Sequence, residues 1–221
     1  MIIDLSHSIH PGMPVYPGDP EPVFTRCADY NREGYLVHMV GLCTHIGTHL
    51  DAPRHFLARG LSVECAEVLE KCIGTARVLD VSRSVETGEI TMEMIKDRSE
   101  QIAAGDRILL ATGWSEQFGH PEFFTGYPSL SKEAAEWFAR CRIALLGVET
   151  PSLHRTSGDA VHAVLLSAGV VIVENLAGLK HIAGKTVYFS AAPLALSGLD
   201  GSPVRAYAVV EGSPRECARA G

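Results

Sequence analysis

Three histidines and an aspartate crowd one short stretch of this chain, His45-Ile46-Gly47-Thr48-His49-Leu50-Asp51-Ala52-Pro53-Arg54-His55. A lone histidine on a half-exposed strand reads as an ordinary polar residue. HxxxHxD followed by PxH, with no lysine or glutamate diluting it, reads as a ligand set for a divalent ion. Two imidazoles and a carboxylate suit a first-row metal such as zinc or manganese, whereas calcium and magnesium ask for more oxygen ligands. His55 comes after Pro53 has fixed the chain direction. It stands either as a further ligand or as a free acid/base, because an imidazole of pKa about 6.5 titrates near working pH.

The segment must bend for this chemistry to occur. Gly47, Pro53 and the β-branched Ile46 and Thr48 disfavour a helix that would align His45 with His49. In a flat strand His45, His49 and Asp51 share one side, but four residues span roughly 13 Å, too far for two imidazoles to share an ion at ~2 Å bonds. Gly47 is the residue that permits the bend, while His49 and Asp51, two apart, need no such help. A second constellation lies in Asp159-Ala160-Val161-His162 through Gly169 to Val170-Val171-Ile172-Val173-Glu174-Asn175. Asp159 reads as an N-cap, His162 as a first-turn residue, and Gly169 as the helix end. Glu174 closes an apolar strand, and ligands collect at the carboxyl ends of strands in α/β sheets. Read alone, His162 is more readily a core or surface histidine and Glu174 a solvated strand end.

The elements that position these groups follow from periodicity. IIDLSHSI (2–9), YLVHMVGL (35–42), ARVLDVS (76–82), RILLAT (107–112), RIALLGV (142–148) and VVIVEN (170–175) read as strands. Between the later ones, 91–105, 131–141 and 159–169 have helical spacing, so parallel βαβ units are expected. TVYFSA and VRAYAVV read as closing strands separated by the turn LSGLDGSP, which adds an antiparallel β part to an α/β fold. Five prolines and two glycines between Pro11 and Pro22 make that stretch an ordered loop or a lid.

Composition narrows the function. At 221 residues, with 46% apolar and 20% charged side chains, the chain reads as one folded domain over 1–221. Nineteen Lys and Arg against 26 Asp and Glu leave a net charge of -7 with no basic cluster, which argues against nucleic acid and anionic membrane as partners. The start lacks a basic n-region and an apolar h-region, and the six cysteines form no CxxC pair, so a cytoplasmic, reducing location is expected. GxGxxG and P-loop patterns are missing, and TGWSE around Ser115 is not a GxSxG elbow. His7, His10, His38 and His154 receive no role.

HIGTHLDAPRHF, together with GVETPSLH, HAVLLSAGVVIVENL and GLDGSPVRA, resembles the metal-dependent cyclase-like hydrolases, a family that includes bacterial kynurenine formamidase and isatin hydrolase. The likeness runs from DLSHSIHPGMPVYPGD to PVRA. It implies a swivelling β/β/α fold with a mixed sheet, usually assembled as a homodimer or homotetramer. It also implies that His45, His49 and Asp51 bind one ion, that His162 and Glu174 complete a second site with Asp51 and Glu174 bridging, and that His55 shuttles the proton. Tyr16, in PVYPGD, falls where the formamidases carry a tryptophan that packs on the substrate ring. The formamidases read alanine where this chain has Thr48; HxGTHxD is the commoner form in the wider family.

The expected activity is hydrolysis of the C–N bond of a small aryl formamide such as N-formylkynurenine, with one or two divalent ions, Zn2+ first and Mn2+ as alternative. Opening of a cyclic amide such as isatin, or of a lactone, is the alternative within the enzyme class. A catalytically silent metal-binding protein on the same scaffold is the alternative outside it, and a free acid/base at His55 is what such a protein has no need of.

Overall fold

In the computed structural model, which describes residues 1–99, 102–156 and 158–210, the strands run in chain order as β1 (Ile2–Asp4), β2 (Val23–Ala28), β3 (Val37–Gly41), β4 (His49–Asp51), β5 (Ile73–Asp80), β6 (Glu89–Ile90), β7 (Arg107–Ala111), β8 (Ser129–Leu130), β9 (Leu145–Val148), β10 (Val171–Glu174), β11 (Thr186–Ser190), β12 (Gly201–Pro203) and β13 (Tyr207–Val209). The helices are α1 (Tyr30–Glu33), α2 (Ala66–Lys71), α3 (Ser84–Thr87), α4 (Met92–Ser99), α5 (Lys132–Cys141) and α6 (Gly158–Ser167).

The four runs of apolar residues at the centre become parallel neighbours, β5-β7-β9-β10. They alternate between two buried faces, as a doubly covered sheet requires. Ile108, Leu110, Leu146 and Ile172 pack toward α4, α5 and α6, with Phe138, Val161 and Leu165. Ala76, Val78, Leu109, Leu145, Val171 and Val173 pack the other way, with Val68 of α2 and with Leu179 and Ile182.

Antiparallel strands extend both edges, giving the order β1-β13-β11-β5-β7-β9-β10-β4-β12. The sheet curls until Ser6, just past β1, bridges Leu176, just past β10. Leu5 from one edge and Leu50 from the other therefore share one core. This is the expected α/β fold with a mixed sheet and an antiparallel part. A small antiparallel hairpin, β2-β3, stands outside the large sheet.

Several local expectations change. The strand read over 2–9 shortens to β1, because Leu5 and Ser6 turn away to tie the curl. Of the helix read over 91–105, α4 covers Met92–Ser99, residues 100 and 101 lie outside the described ones, and 102–105 are not helical, Ala103 N–H donating to the Asp106 carboxylate in a turn. Helix α6 runs over Gly158–Ser167 and includes Asp159, so His162 lies further inside the helix than an Asp159 cap would place it; the Asp159 side chain lies outside those described. No helix among the described residues is long and apolar enough to cross a membrane.

Candidate active site

Strand β4 sits between β10 and β12, and its register fixes the chemistry. Glu174 is paired with His49, and Ile172 and Gly201 with Asp51. His49 and Asp51 point to the same face by the two-residue period, and Leu50 enters the opposite core. The parallel strands β9 and β10 end at this level, so the loop after β9 and the Glu174 carboxylate meet there.

The bend before β4 occurs where expected. His45 lies in a turn, and Gly47 has φ of 56°, the left-handed conformation that favours glycine. The turn returns the His45 ring onto Asp51, with Nδ1 donating to Oδ1 at 2.7 Å. A side chain at Gly201 would lie 2.7 Å from the His45 ring, so glycine is what leaves that imidazole its place. The Gly47 carbonyl accepts from His49 Nδ1 at 2.8 Å and from Asn175 Nδ2 at 3.0 Å. The first bond fixes the His49 tautomer and leaves Nε2 to face carboxylates, 3.5 Å from both Asp51 Oδ1 and Glu174 Oε2. Thr48 braces the bend, donating to the Asn175 carbonyl at 2.6 Å and accepting from His7 N–H at 2.9 Å.

Helix α6 brings His162 to the same place, with Nε2 3.0 Å from Glu174 Oε1 and 3.6 Å from Asp51 Oδ2. His45, His49 and Asp51 thus form one group whose ligand atoms lie within 4.8 Å of one another, and Asp51, His162 and Glu174 form a second. A third group joins His45 and His55 to Asp200, which sequence reading did not single out. The Asp200 carboxylate accepts from His45 Nε2 at 2.8 Å and lies 3.3 Å from His55 Nδ1. It stands in the Asp-Gly step of the turn read between the closing strands, and only the pairing of β12 with β4 carries it here.

Burial acts to lower His45, but the bonds and charges of Asp51 and Asp200 overcome it and push the ring up to about 10. His162 is likewise pushed up to about 11 by Asp51 and Glu174 against burial. Asp51 is held well below the usual carboxylate range: burial opposes, and bonds to His162 and His45 prevail. His55 goes the other way: burial lowers it, the Asp51 and Asp200 carboxylates oppose, and the neighbouring His45 and His162 charges add to the lowering, which favours the neutral ring.

The residues fit a divalent ion. Asp51 Oδ2 is buried and makes no hydrogen bond among the described residues, an expense unless something else takes its charge. Ligands on one tetrahedral ion with 2.0–2.2 Å bonds are ~3.4 Å apart, close to the 3.5 Å separations around His49 Nε2. Protons on His45 and His162 balance the carboxylates in this arrangement, and a divalent cation supplies the same positive charge.

A cavity of about 610 Å³ opens over these groups, walled by Tyr16, Phe56, Phe118 and Phe124 among others. The loop after Pro11 supplies one wall, and Tyr16 packs edge-on against Phe124 at 5.8 Å between ring centres. Buried Glu149, unassigned by sequence reading, braces another. It accepts from Gly113 N–H at 2.6 Å, Ser115 Oγ at 2.8 Å and Leu179 N–H at 3.1 Å, which fixes the turn leading to Phe118. Ser115 is therefore structural. His7 stacks on Phe118 at 3.8 Å, and burial pushes it down to about 4. His38 lies on the exposed hairpin and His10 bonds the Pro11 carbonyl. His154 lines the cavity and accepts from Thr156 N–H.

Known proteins share this arrangement's frame. The Cyclase family profile matches residues 3–155. The chain is similar to a kynurenine formamidase of Bacillus cereus, 34% identical over 212 residues and covering 92% of this chain and 95% of that one. Among solved structures, a "predicted metal-dependent hydrolase" of Bacillus stearothermophilus aligns with TM-score 0.80 and 27% identity, covering 94% of this chain and 97% of that one. Isatin hydrolase A of Labrenzia aggregata, bound to benzyl benzoate, aligns with TM-score 0.84 and 26% identity, covering 94% and 93%.

Proposed function

This chain belongs to the Cyclase family, and from that premise we propose that it is a metal-dependent amidohydrolase that cleaves the C–N bond of a small aryl formamide, N-formylkynurenine, to formate and the free aryl amine. The observation that carries the reading is the pair of ligand groups sharing the buried Asp51 carboxylate, whose Oδ2 makes no hydrogen bond among the described residues, at the floor of an aromatic-walled cavity. His45, His49 and Asp51 would hold one ion, and His162 and Glu174 with Asp51 a second. Imidazole and carboxylate donors suit Zn2+ first and Mn2+ second. Such an ion supplies Lewis acidity toward the amide carbonyl and acidifies water at neutral pH.

The chain's own residues do the rest. His55, with Nδ1–H directed at Asp200, keeps Nε2 free to take a proton as water attacks the formyl carbon. It returns that proton to the aryl nitrogen as the C–N bond breaks. The aromatic wall holds the ring and excludes water. The decisive experiment follows formate release from N-formylkynurenine by zinc- or manganese-loaded protein, beside isatin and simple lactones. Isatin turnover without formate release would transfer the assignment to cyclic-amide hydrolysis, the reading that the isatin hydrolase neighbour favours.

Tyr16 should govern substrate choice more than chemistry, since it contributes an aromatic face and touches no reacting group. Tyr16→Ala is expected to raise KM for an aryl formamide roughly fivefold, a lost ring contact of about 1 kcal/mol, with little change for a small aliphatic amide. Equal losses on both would make the loop a general organiser of the site.

The protein is further proposed to be a homo-oligomer of the cytoplasm. The described cysteines are unpaired, in keeping with a reducing compartment, which cell fractionation would check. On the β2-β3 hairpin, Val23, Phe24, Val37, Met39 and Val40 are all exposed. A lone hairpin is marginal in water, so a second copy is the natural cover. Paired changes Phe24→Lys and Met39→Lys should shift the mass measured by light scattering to that of a monomer; an unchanged mass would place the contact elsewhere.

A further inference from the structure

Arg155 is the one lysine or arginine on the described lining of the catalytic cavity. The loop that carries it is fixed at both backbone and side chain. Leu130 N–H donates to the Leu153 carbonyl at 2.7 Å, and Arg155 N–H donates to Ser129 Oγ at 3.1 Å. Its guanidinium donates to the Gly88 carbonyl at 3.2 Å and reaches Ser129 Oγ at 3.5 Å. Those acceptors are neutral, and no described carboxylate lies within ion-pair distance of it. A permanent charge is thus oriented by uncharged groups and keeps further donors for a ligand.

Arg155 and the ligand residues His45, His49, His162 and Glu174 line the same cavity, whose wall also carries the aromatic rings of Tyr16, Phe118 and Phe124. A molecule with its amide at the cluster and its ring against Tyr16 and Phe124 has Arg155 available for a third group, and an anionic one complements its charge as well as its donors.

We propose that Arg155 is the carboxylate-recognition residue of this cavity, selecting aryl formamides that carry an ionised carboxylate, as in an amino-acid head group, over neutral ones. Asp19 also lines the cavity and has no ion-pair partner among the described residues, which suits a head group bearing an ammonium beside its carboxylate. The proposal rests on the formamidase reading for its choice of substrates.

The test compares N-formylkynurenine, its des-amino carboxylate analogue and neutral 2-formamidoacetophenone in the wild type, Arg155→Met and Arg155→Lys, with metal content and melting temperature recorded. Competitive inhibition by kynurenine and by 2-aminoacetophenone reports binding apart from turnover. The wild type should favour both carboxylates roughly 10- to 100-fold in kcat/KM, the span of a charge-assisted hydrogen-bonded pair. Arg155→Met should erase most of that preference through KM, and Arg155→Lys should keep part of it. Equal losses on all three substrates would assign Arg155 to holding the loop, and an undiminished preference would overturn the proposal outright. If no formamide is hydrolysed, the formamidase reading falls, while stronger inhibition by kynurenine than by its neutral analogue, lost in Arg155→Met, still upholds the carboxylate site.

Discussion

Asp51→Asn is expected to yield a folded protein that has lost bound metal and whose formate release is slower on the order of 10³-fold or more. Asp51 is the one residue common to the two main ligand groups, and it is buried beneath both. Asparagine keeps the shape and can still bond to His45, but it cannot bridge two cations or balance their charge. A Lewis-acid contribution of several kcal/mol, at about 1.4 kcal/mol per decade of rate, sets the scale. Alanine would open a hole between charged imidazoles and confuse metal loss with misfolding, which makes the near-isosteric change the better probe. Glu174→Gln should be almost as severe, because it too faces His49 and His162 from β10. Elemental analysis, a melting curve and the formate assay on the same preparations decide the matter. An Asp51→Asn protein with wild-type metal content and rate would end the metal-centred mechanism, as would full activity in thoroughly chelated wild type.

How much of this site was legible in advance depends on how far apart its parts lie along the chain. His45, His49 and Asp51 were readable because their geometry is local: a two-residue period, a four-residue gap and a glycine that bends it. The bend is found at Gly47. Placing His162 and Glu174 with them took the family resemblance, since nothing in a helix-strand unit says which neighbour β10 acquires; that neighbour is β4, from far earlier in the chain. Asp200 escaped for the same reason: it lies in the GLDGSPVRA motif, but no role was attached to it there. Its strand, Gly201–Pro203, ends in proline and read as part of a turn, and proline is tolerated there because β12 is an edge strand.

Strand β2 was also missed: Val23 through Cys27 are exposed, so no alternation of apolar and polar residues announces it. The central parallel strands were the easiest to find, because burial on both faces leaves an unbroken apolar run. Glu149 shows the opposite case. Its motif was visible, but its work, bonding four backbone or hydroxyl donors from segments distant in sequence, is written only in the fold.

His55 separates the metal from the chemistry, and that separation can be measured. Its Nδ1 lies 3.3 Å from Asp200, its ring leans on that of His45 at 4.0 Å between centres, and burial favours the neutral ring. A proton shuttle at this point should be removable without emptying the ligand groups. His55→Ala is therefore expected to keep its metal while kcat falls on the order of 10²–10⁴-fold, the usual contribution of a positioned acid/base. Asp200→Asn should act in the same direction but less, because it withdraws the acceptor that fixes the ring and leaves the ring present.

The loss in His55→Ala should depend on the leaving group. An aryl amine leaves as a poor anion unless protonated, whereas an activated aryl ester releases its phenolate unaided, so the formamide should lose far more rate than the ester. His45, His55 and Asp200 also lie close enough together to hold an ion, and a ligand at His55 would behave otherwise: metal would leave with the imidazole, and amide and ester would suffer alike. Either of those results, read from elemental analysis and from paired amide and ester rates, would move His55 out of proton transfer and into the metal's coordination.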